Sequence, residues 1–163
     1  MRDENSIIMP NNMTCDEFEY LKSLKWECTE KIDGTNIHCD IFCDGNNVEI
    51  SIHGRTEKAN IPTHLLEKLK TVFTVYHIGT VFNKQIEAAT PETPFQASIY
   101  GEGYGVKIQK GGNYIKDGVG FILFDVKVGR WWLNREACED IAKAFEIPIV
   151  PLIGYMTIPE AIE

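Results

Sequence analysis

Apolar and polar side chains alternate along three segments in the first third of the chain, and this period of two predicts β-strands. Trp26 and Cys28 mark the first segment, and residues 36–43 and 48–53 form the second and third. The sequence Asp-Gly-Asn-Asn over residues 44–47 separates the last two and is typical of a turn. These two segments are therefore predicted to pair as an antiparallel hairpin.

Helical spacing of apolar residues follows in three other places. Thr14 and Glu17 form a capping box ahead of a short helix predicted over residues 15–25. Pro62 begins a second helix, and residues 79–89 are predicted to continue as a further helical piece. One apolar face of the second helix is expected to pack in the core, and it consists of Leu65, Leu66, Leu69, Val72, Phe73 and Tyr76.

The second half of the chain adds strands. Residues 95–100 read as a buried strand that runs into a glycine-rich segment, residues 101–105, and residues 106–109 are predicted to be its return strand. Residues 118–128 are almost continuously apolar, as expected of a central strand that is covered on both faces. Asp125 interrupts this run, and a buried carboxylate there would need a partner.

The C-terminal part contains two helix signals. Trp131 and Trp132 are predicted to form an edge strand, and Asn134 is predicted to cap a helix over residues 135–145. Residues 147–153 are predicted to form one more strand. Together these elements predict an α+β fold with antiparallel sheets and flanking helices.

A second capping box lies at the end of the sequence, with Thr157 followed three positions later by Glu160. This capping box predicts a helix, but only about one turn of it is present in the sequence, and one turn is too short to be stable alone. We therefore expect a further C-terminal segment that this sequence lacks.

Composition narrows the class of protein. With 163 residues and 44% hydrophobic content, the chain can bury one core, so a single domain over residues 1–163 is expected. The odd count of five cysteines favours reduced thiols and a cytoplasmic protein. No apolar run suggests a signal peptide or membrane span, so we expect no membrane partner. The net charge of −8 disfavours generic binding to a phosphate backbone, so a nucleic-acid enzyme would need a locally basic face.

One heptapeptide, Glu30-Lys31-Ile32-Asp33-Gly34-Thr35-Asn36, has a composition that core packing does not explain. Its glycine suggests a turn with positive φ, or a close backbone approach to a ligand, because neither tolerates a Cβ. An exposed Asp-Gly hairpin turn beside a solvated lysine is the simpler alternative. The whole pattern Lys-x-Asp-Gly-x-Asn, rather than the Asp-Gly pair alone, favours a chemical role for this segment.

This heptapeptide resembles the nucleotide-accepting motif of the covalent nucleotidyltransferases, which include ATP-dependent DNA and RNA ligases and GTP-dependent capping enzymes. Its form, Glu-Lys-x-Asp-Gly-Thr-Asn, is most similar to RNA ligases of the end-sealing and editing type. Tyr100-Gly101-Glu102 resembles the later ribose motif, and residues 121–125 resemble the base-stacking motif. The motifs occur in the family order, and the resemblance runs over residues 26–132.

The resemblance implies an adenylation domain of the ATP-grasp-like type, with a nucleotide cleft between its sheets. In it Lys31 would attack the α-phosphate of ATP, and the resulting lysyl-AMP would pass AMP to an RNA 5′-phosphate before a 3′-hydroxyl seals the break. ATP, Mg²⁺ or Mn²⁺, and RNA ends or nicked RNA duplex are the implied ligands. The implied nucleotide-binding residues are Glu30, Ile32, Asn36, Arg55, Glu102 and Phe124. The implied supporting residues are Asp33, Gly34 and Asp125.

The sequence also departs from this family pattern. No Glu-Gly-x-Val or Glu-Gly-x-Ile segment follows Asp125, so no metal ligand is assigned, and no Lys-x-Lys pair follows it either. Lys107 and Lys110 cannot replace that pair, because their spacing places them on opposite faces of a strand. A non-catalytic nucleotide or RNA-end binding module therefore remains an alternative, and a GTP-dependent capping-type enzyme is a second.

A zinc site made from Cys28, His38, Cys39 and Cys43 is disfavoured, because strand alternation directs His38 and Cys39 to opposite faces and no Cys-x-x-Cys pair occurs. The other histidines, His53, His64 and His77, have no acid and nucleophile around them. They are expected to be solvated or packed in the core.

Overall fold

The computed structural model describes residues 15–56, 59–109 and 114–162. The chain divides into two compact units. The small unit is made from Met1–Lys31 and Pro151–Glu163, and the large unit is Ile32–Val150. The chain therefore leaves the small unit directly after Lys31 and re-enters it at Pro151.

The helices and strands follow the order expected of a mixed fold. They are α1 (Asp16–Leu21), β1 (Trp26–Thr29), β2 (Thr35–Cys43), β3 (Val48–Gly54), α2 (Thr63–Val72), α3 (Val75–Val81), α4 (Asn83–Glu87), β4 (Phe95–Gly105), β5 (Val119–Val128), β6 (Trp131–Trp132), α5 (Arg135–Ala144), β7 (Leu152–Met156) and α6 (Ile158–Ile162). None of the helices in the described part of the chain has the length and apolarity that crossing a membrane requires.

In the small unit, β1 and β7 form a two-stranded antiparallel sheet in which Trp26 lies opposite Met156. The capping box before α6 is confirmed. The Thr157 N–H donates to the Glu160 carboxylate at 2.8 Å, and the Glu160 N–H donates to Thr157 Oγ1 at 3.4 Å. The first of these bonds is the main reason that the pKa of Glu160 is lowered.

The large unit is built on a five-stranded antiparallel sheet in the order β3-β2-β4-β5-β6. One face of this sheet is the core face, because Ile37, Cys39 and Ile41 alternate as buried residues along β2. Buried side chains of α2 and α5 belong to the same core cluster, among them Leu65 and Cys138. The predicted α+β class with antiparallel sheets is confirmed.

The buried cysteines of β2 are packing residues. Cys39 is fully buried and Cys43 is 2% exposed, and neither forms a disulfide. Burial raises the pKa of Cys39 to about 12, with a smaller contribution from the neighbouring charge of Asp40. The prediction that His38 and Cys39 lie on opposite faces is confirmed, because His38 is half-buried on the other side of the strand.

The first helix predictions need two corrections. Helix α1 begins at Asp16, its N-cap residue is Cys15, and it ends at Leu21 rather than at residue 25. Thr14, the predicted cap, lies outside the described residues. Tyr76 was expected in the core with α2 but is 78% exposed. The Thr74 hydroxyl accepts the His77 N–H at 3.1 Å, which begins a new helix and breaks the helical phase.

Two predicted strands are also wrong in extent. The strand predicted over residues 106–109 is absent: residues 106–108 form a turn, in which Lys107 adopts φ 62° and the Ile108 N–H donates to the Gly105 carbonyl at 3.2 Å. In the region 147–153, β7 begins only at Leu152, and Ile149 instead forms an isolated parallel bridge with Leu123.

Shortening a side chain on the core face of β4 should leave a cavity and lower the stability of the fold. Ile99 is fully buried among core residues, with 0% of its surface accessible to solvent. We expect Ile99→Ala to lower the free energy of unfolding by about 2–5 kcal/mol, measured by urea denaturation. Val75→Ala is the control, because Val75 is 57% exposed and should change stability by less than about 0.5 kcal/mol. Equal effects of the two substitutions would contradict the assignment of this core.

Candidate functional site

The sheet of the large unit has a second face, opposite the core face, which we call the polar face. Along β2 and β4 it carries directly paired positions of mostly polar character, namely Asn36 with Glu102, His38 with Tyr100, and Asp40 with Ser98. All six of these residues are half-buried. Two of the site residues predicted from the sequence, Asn36 and Glu102, are therefore placed by the register of β2 against β4.

Asn36 and Glu102 are brought together by this register. They are direct cross-strand partners, which places their Cβ atoms about 4.5–5.5 Å apart. On its other side Glu102 lies opposite Ile122 of β5. Two residues that the family resemblance assigns to nucleotide binding thus occupy adjacent positions on the polar face.

The glycines of β4 serve the core face and not a ligand. A Cβ on Gly101 would lie 2.3 Å from the Ile122 carbonyl oxygen, and one on Gly103 would lie 2.4 Å from the Leu65 side chain. At both glycines the close approach is to neighbouring protein atoms on the core side, and Glu102 lies on the opposite face.

A β-bulge in β5 positions Phe124 and Asp125. Tyr100 of β4 pairs with Asp125 and Gly101 pairs with Leu123, so Phe124 is the additional residue between them. Asp125 is exposed, so it is not the buried acid that the apolar run suggested. The bulge explains how a charged residue follows four apolar ones without being enclosed.

Phe124 belongs to a small apolar group that we call the Ile122 cluster. Its buried members are Ile32, Ile122 and Val150, and Tyr104 and Phe124 pack against them while remaining partly accessible. Burial also raises the pKa of the Tyr104 hydroxyl. The cluster gives the Phe124 ring an apolar support and leaves part of the ring available.

Val150 is held in the cluster through its backbone. Its N–H donates to the Leu123 carbonyl at 2.8 Å, and its own carbonyl accepts from Arg135 Nη2 at 2.8 Å. Ile32, which directly follows Lys31 in the chain, is 7% exposed within the same cluster. The residue next to the predicted nucleophile is therefore fixed by apolar packing.

The two residues after Ile32 are fixed by polar contacts. The Asp33 N–H donates to the Tyr114 hydroxyl at 3.2 Å, and Gln109 Nε2 donates to the Gly34 carbonyl at 3.1 Å. Sequence reasoning missed Gln109 and Tyr114. They lie 75 and 81 residues further along the chain, and no local pattern connects them with the heptapeptide.

Gly34 has a steric reason to be glycine. Its φ is not among the positive values, but a Cβ there would lie 2.3 Å from the Gly103 carbonyl oxygen and 2.8 Å from Glu102 Cγ. The positive φ that was one alternative is absent, and the close backbone approach seen at Gly34 is to β4. The absence of a side chain lets this segment lie directly beside Glu102.

Lys31, Glu30 and Arg55 lie outside these contacts of the large unit. Lys31 is exposed, and Glu30 in the small unit donates its N–H to the Pro151 carbonyl at 2.9 Å. Arg55 is exposed and follows Gly54, the residue paired with Ile37. Hairpin pairing therefore brings Arg55 to the same end of β2 as Asn36.

A group of side chains that could bind a metal ion lies on the polar face, but not around Glu102. Within the described ranges, the group of three potential ligands whose donor atoms all approach within 4.8 Å is His38, Asp40 and His53. No such group occurs around Glu102 or the Ile122 cluster in that part of the chain. The residues near Glu102 therefore do not by themselves form a protein-held divalent cation site.

A family model described as RNA ligase matches residues 24–163. No curated protein matches the sequence. Among solved structures, a mutant Naegleria gruberi RNA ligase with AMP and Mn aligns with a TM-score of 0.60 and 15% identity, over 90% of this chain and 42% of that chain.

Two further structures give similar results. Naegleria gruberi RNA ligase with PPi aligns with a TM-score of 0.55 and 21% identity, over 88% of this chain and 40% of that one. An archaeal ATP-dependent RNA ligase aligns with a TM-score of 0.54 and 18% identity, over 90% of this chain and 36% of that one. At these identities the likeness is one of fold, and the chain spans about 40% of the length of these proteins.

The packing of Gly34 predicts an effect on stability. We expect Gly34→Ala to lower the free energy of unfolding by about 1–3 kcal/mol, because backbone atoms of β4 must shift to admit the methyl group. Gly79→Ala is the matched control. Gly79 lies in α3 with nothing within 4 Å of its Cβ position, so this change should stabilise by about 0.5–1 kcal/mol. Urea denaturation of both variants tests the prediction, and equal signs would contradict it.

Proposed function

This chain belongs to the RNA ligase family, and from that premise we propose that residues 1–163 belong to the adenylation domain of an ATP-dependent RNA ligase. One observation carries the proposal. On the polar face of the large unit, Asn36 pairs with Glu102, and Glu102 lies opposite Ile122. Ile122 in turn shares an apolar cluster with Phe124 and with Ile32, which directly follows the lysine of the nucleotide-accepting motif.

The base and the sugar of ATP would be bound by the large unit. We propose that the partly accessible ring of Phe124 stacks on adenine, with the Ile122 cluster behind it. Glu102 would accept hydrogen bonds from the ribose hydroxyls, and Asn36, its cross-strand partner, would donate to the sugar or to an attacking group. Ile32 would line the base side of this site.

Lys31 would be the nucleophile. Its amine can attack the α-phosphorus of ATP only in the neutral form. In this step a nitrogen–phosphorus bond forms, the bond from phosphorus to the pyrophosphate oxygen breaks, and the nitrogen loses a proton. Packing of Ile32 restricts the backbone next to this lysine, which reduces the conformational freedom lost in the reaction. AMP would then pass to an RNA 5′-phosphate, and a 3′-hydroxyl would displace it.

The supporting residues have narrower roles. Arg55 would favour the neutral amine and bind a phosphate oxygen. Asp33, whose N–H is held by Tyr114, would orient Lys31, and Glu30 would contact the nucleotide. Asp125, exposed beside Phe124 at the bulge, would accept a hydrogen bond from a polar group of the nucleotide.

A divalent cation, Mg²⁺ or Mn²⁺, would stabilise the charge of the leaving pyrophosphate when bound. The described residues near Glu102 do not supply a ligand set for it. We therefore assign no step of this chain to the cation. The five cysteines are all free thiols, which supports a reducing compartment such as the cytoplasm.

A second candidate function is a nucleotide or RNA-end binding module without catalysis. The observation that favours it is the net charge of −8, which disfavours generic binding to the phosphate backbone of an RNA substrate. Such a module would bind ATP through Phe124 and Glu102 without forming a covalent intermediate. The two functions differ in whether Lys31 becomes labelled.

Covalent labelling tests the catalytic proposal. We expect incubation with α-labelled ATP and magnesium, followed by denaturing electrophoresis, to label the wild-type chain. Lys31→Ala should abolish the label, whereas Lys84→Ala, which removes an exposed lysine of α4, should retain it. A labelled Lys31→Ala variant would refute the assignment. ATP binding without label would favour the non-covalent module, and label from GTP alone would favour capping chemistry.

Stacking on Phe124 makes a separate prediction. Loss of a base–aromatic stack costs about 1–3 kcal/mol, so Phe124→Leu should raise the dissociation constant for ATP roughly 5- to 150-fold. The control is Tyr76→Leu, because Tyr76 is an exposed aromatic residue of α3. Equilibrium dialysis with labelled ATP measures both constants. An unchanged constant for Phe124→Leu would remove this residue from the base site.

A further inference from the structure

Two histidines and one aspartate meet on the polar face of the β2–β3 hairpin. His38 and His53 are direct cross-strand partners, and Asp40 lies two positions further along β2 on the same face. One ligand atom from each side chain lies within 4.8 Å of the other two. The family resemblance assigns no role to any of the three residues.

The distances within this group fit an ion better than direct hydrogen bonds. His38 Nε2 is 3.5 Å and His53 Nε2 is 3.9 Å from the same oxygen, Asp40 Oδ2. A nitrogen–oxygen hydrogen bond is shorter, at about 2.7–3.2 Å. Tetrahedral ligands with bonds of about 2.1 Å to zinc lie about 3.4 Å from one another. Both nitrogen–oxygen distances are therefore near the spacing that a shared ion requires, and the ligand atoms of the two histidines lie within 4.8 Å of each other.

Neighbouring side chains orient the ligands. Ser98 Oγ donates to the other carboxylate oxygen, Asp40 Oδ1, at 2.6 Å, which leaves Oδ2 toward the histidines. The His38 ring stacks between His53, at 5.1 Å between centroids, and Tyr100, at 5.7 Å. Such outer contacts fix the orientation of metal ligands in proteins.

The group is accessible to an ion and to water. The side chains of His38, His53 and Asp40 are 22%, 32% and 43% exposed. A cavity of about 260 Å³ is lined by Asp40 together with Ser51 and Ser98.

We propose that His38, Asp40 and His53 bind a divalent transition-metal ion of the zinc class. Two imidazoles with one carboxylate favour such an ion over Mg²⁺, which prefers oxygen ligands. The two proposed sites share no residue: along β2, His38 lies two residues from Asn36, about 7 Å, and Asp40 lies four residues from it, about 13 Å. The proposal does not depend on the function proposed above.

Metal titration of the whole chain tests this site. We expect isothermal titration with ZnCl₂ to show one ion bound, and His38→Ala, Asp40→Asn and His53→Ala each to weaken binding at least tenfold. Ser98→Ala should weaken it about 10- to 100-fold by releasing Asp40. His77→Ala is the matched control, because His77 lies in α3 outside the group and should leave binding unchanged. Circular dichroism without metal confirms that each variant is folded.

Cobalt spectroscopy distinguishes this site from binding by cysteine thiols. Co²⁺ bound by wild-type protein should give visible ligand-field bands without a thiolate charge-transfer band, and His53→Cys should add that band while retaining the metal. A wild-type chain that binds no Zn²⁺ would overturn the proposal and leave the group as a His–Asp ion pair. A thiolate band in the wild type, or unchanged binding in folded His38→Ala and Asp40→Asn, would also overturn it.

Discussion

The register of β2 is the constraint on which the rest of the large unit depends. This strand pairs with β3 on one side and β4 on the other, and its side chains alternate strictly between two environments. Ile37 and Cys39 enter the core, whereas Asn36 and His38 lie on the polar face. A shift by one residue would exchange these sets, burying polar groups and exposing the core. Both proposed sites therefore follow from a single pairing.

Local departures from regular strand geometry shape the nucleotide site. Gly101 and Gly103 let Phe121 and Leu65 approach the core side of β4, so the strand stays in the sheet while Glu102 occupies its other face. The bulge in β5 places the extra residue, Phe124, with the Ile122 cluster. The glycines and the bulge have the same effect, because each allows one strand to pack closely against the core and to carry a functional side chain on its other face.

The two proposed sites use different chemistry on one face. The nucleotide site combines an accessible aromatic ring, an apolar cluster and a carboxylate, which suits a base and a sugar better than an ion. The His38 group combines two imidazoles with an oriented carboxylate and suits a transition metal. Their positions along β2 separate them, so a change at Asp40 and a change at Asn36 should act independently.

Local sequence determined most element types, the β2–β3 hairpin, the helix caps at Asn134 and Thr157, and the family resemblance, because periodicity, turn residues and capping side chains act within a few positions. It did not determine the turn over residues 106–108 or the late start of β7 at Leu152. Only the tertiary structure decided which residues meet. The contacts of Tyr114 with Asp33, the bulge that exposes Asp125, and the approach of His53 to Asp40 depend on strand register and loop paths between residues far apart in sequence. No pattern of neighbouring residues encodes these distances, since they arise from packing of the whole sheet.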